Sequence, residues 1–223
     1  HLKQFYYTFD QIRDRRYDGM IITGAPLDYV PCEETLYWDE VCKIMEWTKT
    51  HVHCTFHLCW GAYAGLYYHY GIEKLDMPKK LFGIYSHEIC KSTSPLFRGF
   101  NDHFLAPHSR ATDVRLSDIE AIPELEVMAV TETGSLAIAK TTDSRQFFVT
   151  CHAEYDRDTL ALEYERDMKK GLTTVDLPVN YYPDDDPTKI PSMTWRATGQ
   201  LLYSNWLNFY VYQSTPYDLK EIK

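Results

Sequence analysis

The sequence predicts an α/β fold: a mostly parallel sheet with helices on both faces. Apolar, β-forming runs alternate with amphipathic helical stretches along the chain, and no repeat or low-complexity segment breaks that alternation. Length and composition agree. At 223 residues, with 44% hydrophobic and 25% charged side chains, the chain can bury a full core and reads as a single domain over residues 1–223.

The elements follow in order. "FDQIRDRRYDGMIITGAP" (9–26) has a charged amphipathic stretch, Asp-Gly, and a short apolar run ended by Gly24 and Pro26, which reads as helix, turn, buried strand and loop. "TLYWDEVCKIMEWTKTH" (35–51) places Leu36, Val41, Ile44, Met45 and Trp47 at helical spacings. "HVHCTFHL" (51–58) is rich in β-formers, and "WGAYAGLYYHYG" (60–71) reads as a helix despite its glycines. "LEVMAVTET" and "RQFFVTCHAEYD" read as strands on either side of a turn at Gly134. "RDTLALEYERDMKKG" is a helix stopped by Gly171, "LPVNYYPDDDPTKIP" (177–191) an extended surface loop, and "WRATGQLLYSNWLNFYVYQ" (195–213) a closing helix. Ligand sites in such sheets lie beyond the carboxyl ends of the strands.

A net charge of −9 and a pI near 5.4 argue against binding a phosphate backbone, so small-molecule substrates are expected and nucleic acid is not. No apolar run approaches the roughly 18 residues of a membrane span, so no membrane partner is expected either. The six cysteines are scattered without C-x-x-C pairs, as reduced thiols in a cytoplasm would be. The chain opens at His1 without Met or a targeting stretch and reads as part of a longer chain that lacks its N-terminal strands.

Cys59 is the residue that most needs a role. A strand running into a cysteine and straight into a helix is the geometry of a nucleophile elbow, and Gly61, Ala62, Ala64 and Gly65 allow the close approach it requires. The positive helix end behind it favours a thiolate. A buried structural thiol is the competing reading. A metal is the third, because His51, His53, His57 and Cys59 share one strand face at period two, but they span too far for one ion and no second ligand pair occurs, so no metal is expected. A cysteine nucleophile needs a base and a group that orients it, and "FFVTCHAEYD" supplies His152 and Glu154 just after an apolar strand.

These residues carry a resemblance. "FDQIRDRRYDGMIITGAPL", "YWDEVCKIMEWTKTHV", "CWGAYAGLYYHYGI", "FLAPHSR", "YPDDDP" and "SNWLNFYVYQ" together resemble the homoserine O-acyltransferases of methionine synthesis, which have the class I glutamine amidotransferase-like (flavodoxin-like) fold. The resemblance implies ping-pong transfer from acyl-CoA to L-homoserine with no cofactor beyond that co-substrate. It makes Cys59 the acylated nucleophile, His152 the general base and Glu154 the acid that orients it. Lys80, Ser109 and Arg166 fall at substrate-binding positions, and a guanidinium at Arg166 suits an amino-acid carboxylate. The backbone N–H of Trp60, first in its helix, suits an oxyanion. Asp28 falls at a donor-selecting position, where an acidic residue accompanies acetyl rather than succinyl transfer. Three alternatives stay open: a serine O-acetyltransferase on the same scaffold, a glutamine-hydrolysing amidotransferase subunit, and a non-catalytic sensor. The chain departs from the family at Cys151 and Ala153, where Gly and Pro usually flank the base, so the acceptor is open too. A homodimer is the assembly considered.

Overall fold

The computed structural model describes residues 2–171 and 176–222. Its centre is a seven-stranded sheet made of β1 (Tyr17–Ile22), β2 (Val52–Leu58), β3 (Leu75–Ile89), β4 (His103–Asp113), β5 (Leu125–Thr131), β6 (Leu136–Thr141) and β7 (Gln146–Val149), in the spatial order β1-β2-β7-β6-β5-β3-β4. The helices are α1 (Leu2–Phe5), α2 (Phe9–Ile12), α3 (Trp38–His51), α4 (Trp60–Tyr70), α5 (Leu116–Glu120), α6 (Thr159–Lys169) and α7 (Arg196–Asn205).

The α/β class holds, but the sheet is mixed rather than mostly parallel. Strands β1, β2 and β7 run parallel, with α3 crossing between β1 and β2, while β7–β6, β6–β5, β5–β3 and β3–β4 all pair antiparallel. Two long strands escape the sequence pattern because Pro78, Gly83 and Pro107 read as breakers. Pro107 is tolerated since β4 is an edge strand, where a missing N–H breaks no ladder. The "SLAIAKT" segment forms a strand of its own, β6, so Gly134 turns from β5 into β6 and not into β7.

Strand β2 is buried on both faces, although its apolar Val52, Cys54, Phe56 and Leu58 alternate with His53, Thr55 and His57. On one face Cys54 and Phe56 pack with Phe147, Trp206 and Tyr210; on the other Phe148 and Ala139 pack with Tyr63 and Leu66 of α4. Two local expectations change. The closing helix is α-helical only to Asn205 and continues as a π-helix over Trp206–Tyr212. The 177–191 segment is not simply a surface loop: Tyr181 and Tyr182 are buried with Phe82, Leu160 and Trp195, and Val179 exchanges backbone hydrogen bonds with Phe82 and Ile84. Among the described residues no helix is long and apolar enough to cross a membrane.

Candidate active site

Cys59 is the single residue between β2 and α4, with φ 52° and ψ −118°. That region is nearly closed to residues with a Cβ and is typical of functional turns that the surrounding structure holds in place. Here the hold is visible. The Cys59 N–H donates to the Val149 carbonyl at 2.7 Å, extending the β2–β7 ladder by one step. Helix α4 is pressed against the end of β1 at Gly61, where a Cβ would sit 2.6 Å from the Ile22 carbonyl oxygen. A Cβ at Gly24 would lie 2.9 Å from that of Cys59. Backbone atoms cannot yield as a side-chain tip can, so Gly61→Ala is expected to lower stability by about 1–3 kcal/mol, read as a lower denaturant midpoint. An unchanged midpoint would mean that α4 moves freely on β1.

Strand β7 is the parallel neighbour of β2, so the segment after it emerges at the same sheet edge as Cys59. His152 is buried there, its N–H bound to the Pro107 carbonyl of β4 at 2.8 Å. Its Nδ1 lies 2.6 Å from Glu154 Oε1, and the ring stacks on Tyr155 with centroids 4.2 Å apart. Burial opposes a charge on this imidazole. Hydrogen bonds and opposite charges from Cys59 and Glu154 outweigh it and push the histidine up to about 10. The His152 imidazole is therefore held cationic beside the Glu154 carboxylate. The second Glu154 oxygen accepts from the Tyr203 hydroxyl at 3.3 Å.

A cavity of about 430 Å³ opens over this group. Asp28, Cys59, Lys80, Ser109, His152, Glu154 and Arg166, which are far apart in sequence, all line it. Ser109 lies within β4 rather than at a cap, and its hydroxyl donates to Glu163. Lys80 packs over the Phe82 ring at 4.4 Å and reaches Asp167 Oδ2 at 3.6 Å. Arg166 Nε donates to Asp167 Oδ1 at 2.8 Å, and that bond is the main reason the Asp167 carboxyl is held low. One carboxylate thus spaces two cations along the wall. Trp60 differs from the others. Its side chain packs in the core with Met45 and Ala64, and it is not among the residues that line the cavity.

The histidines that suggested a metal face different surroundings. His51 is the last residue of α3, not of the strand, and stacks on Trp47; His53 bonds Ser214; His57 is fully buried against Phe148. Among the described residues no group of three or more His, Cys, Asp or Glu is placed to hold an ion. Sequence reasoning missed Glu163, Tyr155 and Asp167. Glu163 and Asp167 are four apart on α6 and flank Arg166, a helical spacing that marks one face once Arg166 is singled out. Cys151 and Ala153, which flank the base, are both buried in the core and do not line the cavity.

A family model described as homoserine O-succinyltransferase matches residues 1–217. The chain is 54% identical over 223 residues to a homoserine O-acetyltransferase of Acetivibrio thermocellus, covering all of this chain and 73% of that protein. It is 56% identical over 218 residues to a homoserine O-acetyltransferase of Agathobacter rectalis, covering 98% of this chain and 70% of that one. Among solved structures it resembles a glutamine amidotransferase of Thermotoga maritima, with a TM-score of 0.58 at 14% identity over 84% of this chain and 76% of the other. A second, from Methylobacillus flagellatus, gives a TM-score of 0.60 at 13% identity over 86% and 76%. At such identities the likeness speaks for the fold alone: the class I glutamine amidotransferase-like arrangement.

Proposed function

The chain belongs to the homoserine O-succinyltransferase family and is a homoserine O-acyltransferase, and from that premise we propose that it takes its acyl group from acetyl-CoA by way of a thioester on Cys59. The observation that carries this reading is the line Cys59, His152, Glu154 at the shared edge of two adjacent parallel strands, under a cavity with cations on its wall.

The steps balance. The Cys59 thiolate attacks the thioester carbonyl carbon, and the oxyanion that forms is met by the Trp60 backbone N–H. As the tetrahedral adduct collapses, the bond to the CoA sulfur breaks and the His152 proton leaves with CoA as a thiol. Neutral His152 then removes the proton from the homoserine hydroxyl, whose oxygen attacks the acyl carbon, and the bond to Cys59 Sγ breaks to return the thiolate and release O-acetylhomoserine. Glu154 keeps the imidazole in place and shares its charge. Arg166 grips the acceptor carboxylate, and Glu163, three residues earlier on α6, offers the cavity a carboxylate for the acceptor ammonium. Lys80 and Ser109 complete the substrate contacts.

Homoserine, rather than serine, suits the surroundings of the base, because the unusual Cys151 and Ala153 are packing residues outside the cavity. The product would enter methionine synthesis in the cytoplasm, and no cofactor is needed. A single preparation tests the reading: acetyl-CoA alone should leave an acetyl adduct on Cys59 and release CoA, and homoserine should then discharge it faster than serine. Release of ammonia from glutamine without any adduct would overturn it.

Arg166→Lys is expected to raise the homoserine KM about tenfold or more while leaving the CoA-release half-reaction little changed, since an ammonium cannot reproduce a planar two-bond grip. Equal slowing of both half-reactions would make Arg166 structural.

Donor choice rests on Asp28, half-buried on the cavity wall. A succinyl tail ends in a carboxylate, and two like charges about 4 Å apart repel by roughly 1 kcal/mol in water and about 4 kcal/mol at an effective dielectric near 20. Acetyl-CoA carries no such charge. The relatives above are named as acetyltransferases, in keeping with this choice. Asp28→Gly is expected to shift the kcat/KM ratio towards succinyl-CoA by about tenfold or more, measured by CoA release with each donor. An unchanged ratio would remove Asp28 from donor selection and leave the Cys59 route standing.

A further inference from the structure

Beyond the loop that carries Asp28 lies a second cavity, of about 460 Å³, walled in part by Tyr29, Cys32, Tyr67 and Lys74. Asp28 borders both this cavity and the one over Cys59, and so stands as the partition between them. Lys74 is on the far side of the partition. Its Nζ donates to the Leu27 carbonyl at 2.9 Å and to the Asp28 carbonyl, so two successive peptides hold the half-buried ammonium against the loop. An ammonium has three N–H donors, and these bonds use two. Its charge also interacts favourably with the Asp28 carboxylate.

We propose that this second cavity is a latent pocket for the tail of a dicarboxylic acyl group, with Lys74 as its anion receiver, and that Asp28 closes it. The closure is chemical as well as steric. Asp28 places the protein's own carboxylate in the space and the field that a donor carboxylate would use. The inference rests on the reading of Asp28 as donor selector and adds to it the partner that a carboxylate would meet once Asp28 is gone. The other cations on the first cavity, Lys80 and Arg166, share Asp167 and are assigned above to the acceptor side of the site, which leaves them to homoserine and not to the donor tail. The acids on the second cavity, Glu33, Glu73 and Asp76, are exposed; Glu33 accepts the Tyr67 hydroxyl, and Asp76 also interacts favourably with the Lys74 charge.

The test compares succinyl-CoA with butyryl-CoA, a donor of the same chain length without the charge, and with acetyl-CoA, in the native protein and in Asp28→Gly, Asp28→Gly/Lys74→Met and Asp28→Gly/Lys74→Arg. Ratios within one preparation cancel differences in the amount of folded protein. Asp28→Gly should admit both longer donors. Adding Lys74→Met should then lower the succinyl-to-butyryl kcat/KM ratio about tenfold, the loss of one charge-assisted hydrogen bond, and Lys74→Arg should restore most of it. If the ratio stays level in the Lys74→Met double variant, Lys74 receives nothing, while the donor-selector reading survives on the Asp28→Gly gain. If Asp28→Gly admits neither longer donor, the pocket and the selector reading fall together.

Discussion

Cys59→Ser is expected to abolish CoA release and adduct formation, a loss on the order of 10³-fold or more in kcat, with the fold intact. The two side chains are nearly isosteric and neither is glycine, so the strained φ of 52° and the close contact of α4 with β1 are the same in both proteins. What changes is the nucleophile. A serine hydroxyl is a much weaker nucleophile than a cysteine sulfur, and it does not replace the contribution residue 59 makes to holding His152 cationic. Near-native turnover in the serine variant, with stability within about 1 kcal/mol of the parent, would show that the acyl group never rests on residue 59.

The second large effect is at His152. Replacing it by alanine is expected to lower transfer by roughly 10²–10⁴-fold, the range for loss of a positioned general acid and base, and Glu154→Gln should cost less because an amide still accepts the Nδ1 hydrogen bond. Stability carries an independent signature. In the unfolded chain a histidine loses its proton near pH 6.5, whereas His152 keeps it to about 10 in the folded protein because Cys59 and Glu154 override the penalty of burial. Counted at His152 alone, folding takes up a proton between these limits. The stabilisation is fully present below about pH 6.5 and fades as pH rises through about 10. Melting temperatures of the parent should fall more steeply than those of His152→Ala across that window, and parallel curves would mean that no imidazolium is buried at rest.

Much of this site was legible in the sequence because its key residues sit at element boundaries, where chain chemistry is most constrained. The β-forming run "VHCTFHL" followed by small residues reads as a strand meeting a closely packed helix, and that junction singled out Cys59. His152 and Glu154 were found from the strand before them. The antiparallel half of the sheet was not legible. Strands β3 and β4 carry Pro78, Gly83 and Pro107, which local rules read as interruptions, yet β3 accommodates a register shift between Asp76 and Leu81 and β4 lies at an edge. Glu163 and Tyr155 were missed for a related reason. Each looks like an ordinary surface residue until β4 brings Ser109 to one and β7 brings His152 to the other.

The β2–β7 ladder also sets how the spacing of nucleophile and base can vary. Leu58 faces Val149 across that ladder, the Cys59 N–H bonds the Val149 carbonyl, and the segments that carry Cys59 and His152 depart from those rungs. Backbone pairing permits only whole-residue steps of about 3.3 Å, each of which also turns side chains to the opposite face. Their separation is thus quantised, locked to one rung rather than graded by the softness of the surrounding core. Volume-conserving changes at Phe56, Phe147 or Trp206 can loosen the protein without drawing the pair apart, and a slipped rung would misplace it altogether.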